Sequence, residues 1–191
     1  MDIEHEARIE LIAHLGANFV CQEEVNLHFH GRQLKCDVLA RPLATNFEKY
    51  IFAFEVKRPD CNWHHKKWAR TIKQACHYVG ASVLGRVEGI ANPGDIVTAS
   101  FVYPAPHIAP SERPFARSEI IREGFENAIA GMFHLALMFR CGAAGKTKWT
   151  NIEVYSLSMG PTEIWNDRFG FRPKAHDLLA NGRSFGSSNR R

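Results

Sequence analysis

Apolar residues recur along the chain in blocks whose period switches between that of a helix and that of a strand. Ile3, Ala7, Leu11 and Leu15 sit about one turn apart and Gly16 follows as a C-cap, which predicts a helix over residues 3–15. Alternation then marks a strand over residues 33–40, with Leu34, Cys36, Val38 and Ala40 on one side and Lys35 and Asp37 on the other. In the next strand Phe52, Phe54 and Val56 form one face, while Ile51 and Ala53 lead to Glu55 and Lys57 on the second. A strand apolar on both faces belongs in the middle of a sheet. Residues 63–79 return to helical spacing, with Trp68, Ile72, Cys76 and Val79 as the apolar stripe and Lys67, Thr71, Gln74 and Tyr78 on a different face.

The second half is patterned less regularly. Residues 80–95 hold glycines and Asn92-Pro93-Gly94, the composition of a loop or short strand, before residues 98–103 read as a strand. Pro104, Pro106, Pro110 and Pro114 make a stiff connector, after which Ser118 can cap a long helix running to about Arg140. Residues 128–139 of that helix are apolar almost all round, which suits burial in the core or against a second copy of the chain, a homodimer through this helix. Residues 151–158 alternate as a strand, and Glu163-Ile164-Trp165 extends the sheet edge or a hairpin. Order is expected to fall beyond Pro173, leaving one domain over residues 1–175 and a flexible basic tail over 176–191.

The chemistry concentrates where the central strand ends. A carboxylate and an ammonium in a buried strand are costly unless a metal, ligand or partner compensates them. Pairing of the two strands would bring Asp37 beside Glu55, and two carboxylates held close repel unless they share a proton or a cation. Hard oxygen ligands of this kind hold Mg²⁺ or Mn²⁺, and Lys57 adds a point charge beside the ion. That combination suits phosphodiester hydrolysis, with water activated at the metal and the lysine stabilising charge on the phosphoryl oxygens. Gln74 and Tyr78, one turn apart, can meet a carboxylate, the lysine or a substrate phosphate.

Asp37 followed by Glu55-Val56-Lys57 resembles the D…(D/E)-x-K signature of the PD-(D/E)XK nuclease superfamily. Gln74-Ala75-Cys76-His77-Tyr78 resembles the Q-x-x-x-Y element of its RecB-like branch, and Cys36 stands where the superfamily's name has proline. The resemblance spans about the first eighty residues. It implies an α/β fold, restriction-endonuclease-like, with an α-β-β-β-α-β core around a central mixed sheet and a C-terminal elaboration containing the long helix. It implies Asp37, Glu55 and the Val56 carbonyl as metal ligands, Lys57 as the group that orients water, and an acidic residue from the first helix. Glu6 and Glu10 lie on one face of that helix, with Glu6 favoured as the catalytic and metal-binding residue and Glu10 as its substitute. The implied activity is Mg²⁺-dependent (or Mn²⁺-dependent) hydrolysis of DNA, from an end or internally, with the choice between DNA and RNA left open by the motif.

Charge and composition narrow the alternatives. The 191 residues carry a formal net charge of +4, which favours an anionic partner without requiring one. Arg58, Lys66, Lys67 and Arg70 crowd the segment after the central strand, interleaved with Trp63 and Trp68, and make a candidate nucleic-acid surface. Five scattered cysteines and no apolar leader segment point to reduced thiols and a cytoplasmic, intracellular protein with no membrane span. The histidine pairs lack zinc-ligand spacing, and Gly142-Ala143-Ala144-Gly145-Lys146-Thr147 places its glycines too close together for a P-loop, so neither zinc nor ATP is implied. Two other readings compete: a non-catalytic nucleic-acid-binding or partner-binding module on the same fold, and a structural Glu55–Lys57 ion pair in an unrelated α/β domain.

Overall fold

A computed structural model describes residues 3–57, 65–105, 140–146, 149–156 and 160–180, with backbone alone at 65–69, 155–156 and 160–161. The first helix, α1 (Ile3–Leu15), turns Ala7, Leu11 and Leu15 inward as its spacing predicts, and the Gly16 N–H closes its end on the Ile12 carbonyl at 2.8 Å. Strands β1 (Phe19–Phe29) and β2 (Arg32–Pro42) form a long antiparallel hairpin. Its two-residue turn puts His30 at φ 46° and Gly31 at φ 76°, the left-handed pair that matches strand twist in a tight hairpin.

The meander continues into β3 (Phe52–Val56), buried at every position and antiparallel to β2. Helix α2 (His65–Tyr78) lies in the chain between β3 and its parallel neighbour β5 (Ala99–Tyr103), because parallel strands need a long crossover. A two-residue strand, β4 (Ser82–Val83), adds to the free edge of β1. Beyond β5 come β6 (Cys141–Lys146), β7 (Thr150–Ser156), β8 (Gly160–Asn166) and β9 (Gly170–Phe171), then a short helix, α3 (Ala175–Ala180). Among the described residues the strands form one mixed nine-stranded sheet, in the order β4-β1-β2-β3-β5-β6-β7-β8-β9. The chain is α/β, and along it α1, β1, β2, β3, α2 and β5 follow the order α-β-β-β-α-β, with β4 interposed.

Each face of the sheet carries its own core. Phe52, Phe54 and Val56 pack with α1 and α3, whereas Ile51 and Ala53 pack with Tyr78 of α2 and the 81–97 segment. β2 departs from the expected alternation: Cys36 packs on the α2 side, while Val38 and Ala40 pack on the α1 side. β1 changes phase at the same level, with Cys21 on the α1 side and Val25 on the other. The reversal falls at Glu24, held at φ 57°, and at Asp37 across from it, where the paired strands exchange faces. A run of period-two residues carries no mark of such a local flip.

Towards the C-terminus the structure adds one strand for which the sequence carried no prediction and corrects one expectation. Residues 141–146 form a buried strand, although cysteine, glycine and alanine are poor strand formers. Gly142 explains part of the composition, since a Cβ there would stand 1.8 Å from the Glu153 carbonyl oxygen of β7. Order also does not end at Pro173 or at 175. Ala175 and Leu179 of α3 are buried in the α1-side core, so the packed structure runs at least to Ala180. The long helix expected before Arg140, with its apolar 128–139 stretch and the homodimer contact drawn from it, lies outside the described residues, as do the end of the expected 151–158 strand and the tail from 181. Among the described residues no helix is long and apolar enough to cross a membrane.

Candidate active site

Glu55 is the one carboxylate among the described residues with no exposed surface, and three elements converge on it. It ends the α2-side face of β3, where the strand pattern places it after Ile51 and Ala53. The Tyr78 hydroxyl, from the last residue of α2, lies 2.5 Å from Glu55 Oε2 and 2.9 Å from the Lys35 carbonyl oxygen. Gln74, one turn earlier, donates its amide to that hydroxyl at 3.2 Å. The Lys57 ammonium pairs with Glu55 Oε1 and lies 3.9 Å from Glu4 of α1.

Asp37 stands alongside. The β2–β3 register runs from Ala40↔Phe52 to Val38↔Phe54, so the next positions across are Asp37 and Glu55. Asp37 Oδ2 accepts the Val56 N–H at 2.7 Å, taking a backbone donor of β3 at the point where β2 changes phase. A second layer supports this carboxylate. Arg8 of α1 donates to Glu24 at 2.9 Å, Lys35 donates to the other oxygen of Glu24 at 2.9 Å, and the charge of Arg8 acts on Asp37.

The electrostatics follow from the crowding. Burial, then the Asp37 charge, pushes Glu55 from its ordinary 4.5 up to about 7, against the pull of Lys57 and Tyr78. Burial also raises Asp37, with the Val56 N–H, Lys57 and Arg8 opposing. For Lys57 burial works downward, but Glu55, Asp37 and Glu4 outweigh it and hold the amine above its usual value. Tyr78 is pushed up by burial and by Glu55, so it stays protonated and acts as a donor. Its single proton cannot serve two acceptors: it goes to ionised Glu55, or to the Lys35 carbonyl when Glu55 carries a proton of its own.

A divalent cation fits this donor set. Glu55 Oε1 is buried with the Lys57 ammonium as its one partner among the described residues, so a cation there would take the place of that contact. The two adjacent carboxylates raise each other's cost of ionisation, which a cation would relieve. Among the described residues no group of three His, Cys, Asp or Glu side chains frames a metal, and the ligands the resemblance implies are two carboxylates, Asp37 and Glu55, with the Val56 carbonyl. A sparse oxygen set suits Mg²⁺, which keeps several of its waters.

The remaining candidates divide. Glu6 is exposed on α1 and touches none of these groups among the described residues. Glu10 instead pairs with His14 at 3.4 Å and Lys146 at 3.9 Å and bears on Tyr103. The α1 carboxylate that reaches the cluster is Glu4. The signal was in the helix: Glu4 precedes Ala7 by three and Leu11 by seven, on the face that α1 turns to the sheet. Arg70 is exposed on α2; Lys66 and Lys67 have described backbone only, and Arg58 lies outside the described residues. Cys36, the residue before Asp37, is a fully buried thiol that burial keeps protonated. Compared with family models, curated proteins and solved structures, the chain shows no significant match to any.

Proposed function

We propose that this protein is a Mg²⁺-dependent nuclease of the PD-(D/E)XK type, RecB-like, that hydrolyses phosphodiester bonds in DNA. The observation that carries the reading is the convergence of Asp37, Glu55, Lys57, Tyr78 and Gln74 at the end of β3, drawn from three elements by residues whose spacing alone suggested it. The order α-β-β-β-α-β, with β3 and β5 parallel, also supports it.

In this reading Asp37, Glu55 and the Val56 carbonyl hold the metal. When bound, the ion activates a water and polarises the phosphoryl oxygen. Lys57, freed from its charge contact with Glu55, orients the attacking water and stabilises charge developing on the phosphate oxygens. Glu4 keeps the Lys57 ammonium over the site, replacing Glu6 as the contribution of α1. Tyr78 is a positioning residue: fully buried, it fixes the rotamer of Glu55 and does not face a substrate. Gln74 holds Tyr78 in turn. Arg58, Lys66, Lys67 and Arg70 supply phosphate contacts as the strand enters.

The test is incubation with linear, circular and single-stranded DNA in Mg²⁺, Mn²⁺ or EDTA, beside Lys57→Ala and Asp37→Asn. Metal-dependent cleavage that falls by at least about a hundredfold in both variants, with unchanged circular dichroism, is expected. Equal cleavage by both variants would reject the assignment. Salt-sensitive binding with no cleavage under any condition would leave a non-catalytic DNA-binding module.

A further inference from the structure

We propose that the hairpin turn between β8 and β9, together with Trp149, is a stacking surface for single-stranded DNA. The turn puts a large apolar ring in water on a rigid support. Phe169 is 57% exposed, yet its N–H and that of Arg168 both donate to Asn166 Oδ1, at 2.7 and 3.1 Å. Asn166 is fully buried, and its amide nitrogen is spent on Glu163 at 2.7 Å. Gly170, at φ 70°, completes the turn. The ring is thus presented by a preorganised scaffold, which reduces the entropy lost on binding.

Around it, π-systems and guanidinium groups alternate. The Arg168 guanidinium lies 5.3 Å from the Trp149 ring centre and 5.0 Å from that of Phe169, and Arg172 lies 5.3 Å from Phe169 on its other contact. Arg172 is neutralised by Glu163, but Arg168 has no carboxylate partner among the described residues. The surface continues into a cleft of about 510 Å³ lined in part by Phe47, Lys49, Phe171 and His176. There the Lys49 ammonium faces His176 Nε2 at 3.1 Å and forms no salt bridge among the described residues, with Glu48 also lining the cleft.

Unpaired bases stack on aromatic rings and guanidinium planes, while cations interleaved with them take the phosphates. A duplex keeps its bases in its own stack and gains only the charge contacts, so the exposed ring selects for a single strand. The strand register places the end of β6, the start of β7 and the β8–β9 turn at one end of the sheet, through Lys146↔Thr150 and Asn151↔Asn166.

The choice of DNA rests on the nuclease reading, and binding is therefore measured where cleavage cannot occur. Fluorescence anisotropy of a labelled 20-nucleotide oligo(dT), its duplex and the matching oligo(U) is followed in EDTA, with wild type, Phe169→Ala and Arg168→Gln. Both positions are on the exposed turn, and a thermal melt checks that the variants fold. The expected result is tighter binding of oligo(dT) than of duplex, about tenfold weaker in Phe169→Ala and in Arg168→Gln, with duplex binding nearly unchanged by Phe169→Ala. Equal oligo(dT) affinity in folded Phe169→Ala, tighter binding of duplex or of oligo(U), or no oligo(dT) binding by wild type would each overturn the proposal. A protein that cuts DNA but fails this test loses only the stacking surface; one that passes it without cutting loses only the nuclease.

Discussion

At the scale of single residues, the balance at Glu55 decides the behaviour of the site. With its carboxyl near 7 when folded and near 4.5 when exposed, the folded protein binds more protons than the unfolded chain between those values. Stability without metal therefore falls as pH rises from about 4.5 to about 7, by as much as about 3 kcal/mol from this group, and Asp37 adds in the same direction. Urea midpoints in EDTA across that window check the sign. Glu55→Gln should flatten the slope, and a wild-type midpoint that climbs with pH would contradict the burial argument. Under the metal proposal, saturating Mg²⁺ should offset the loss above pH 7, because the ion binds the ionised carboxylates of the folded state. The sequence pointed to Glu55, Lys57, Gln74 and Tyr78 because strand and helix periods fix which residues share a face, and to Asp37 through its spacing from them, although the period of β2 breaks at that residue. It did not point to Glu4 over Glu6, since that choice depends on how α1 is rotated against the sheet.

At the scale of elements, legibility tracked the strength of the periodic signal. α1, β2, β3, α2 and β5 were readable because apolar residues recur in them at a helix or strand period. β6 was not, because its small residues answer to the close approach of β7 and not to strand propensity. This gives a sharp contrast between two glycines. Gly142→Ala would drive a methyl group into the Glu153 carbonyl and is expected to cost about 3 kcal/mol or to prevent soluble expression. Gly85→Ala, where a Cβ meets nothing within 4 Å and φ is not positive, should change stability by less than about 1 kcal/mol in either direction. Denaturant unfolding of both variants measures the difference. Similar stabilities would mean that β6 and β7 are not packed this closely.

For the whole molecule, the later strands and α3 close back over the face that α1 begins. Phe19 at the start of β1 meets the Trp165 ring edge-on at 5.2 Å, and Phe47 stacks on Phe171 at 3.9 Å. The α1-side core is therefore assembled from both ends of the described chain, and α3 belongs to it. Leu179→Ala should cost about 3 kcal/mol, the range for a fully buried leucine, and lower the melting temperature of the whole protein in a single transition. A loss below about 0.5 kcal/mol would restore the view that order ends near Pro173.

What the sequence determined by itself was local: the periods of α1, α2 and the strands, the faces they imply, and the candidate set of ionisable and polar side chains at the end of β3. Those follow from bond geometry, which repeats every 3.6 residues in a helix and every two in a strand. Only the tertiary structure decided which helix carboxylate reaches Lys57, that β1 and β2 exchange faces at Glu24 and Asp37, and that a glycine-rich segment is a buried strand. These depend on rotation, register and close approach between segments far apart in the chain, and the free energy that selects them arises from contacts that no single stretch of sequence contains.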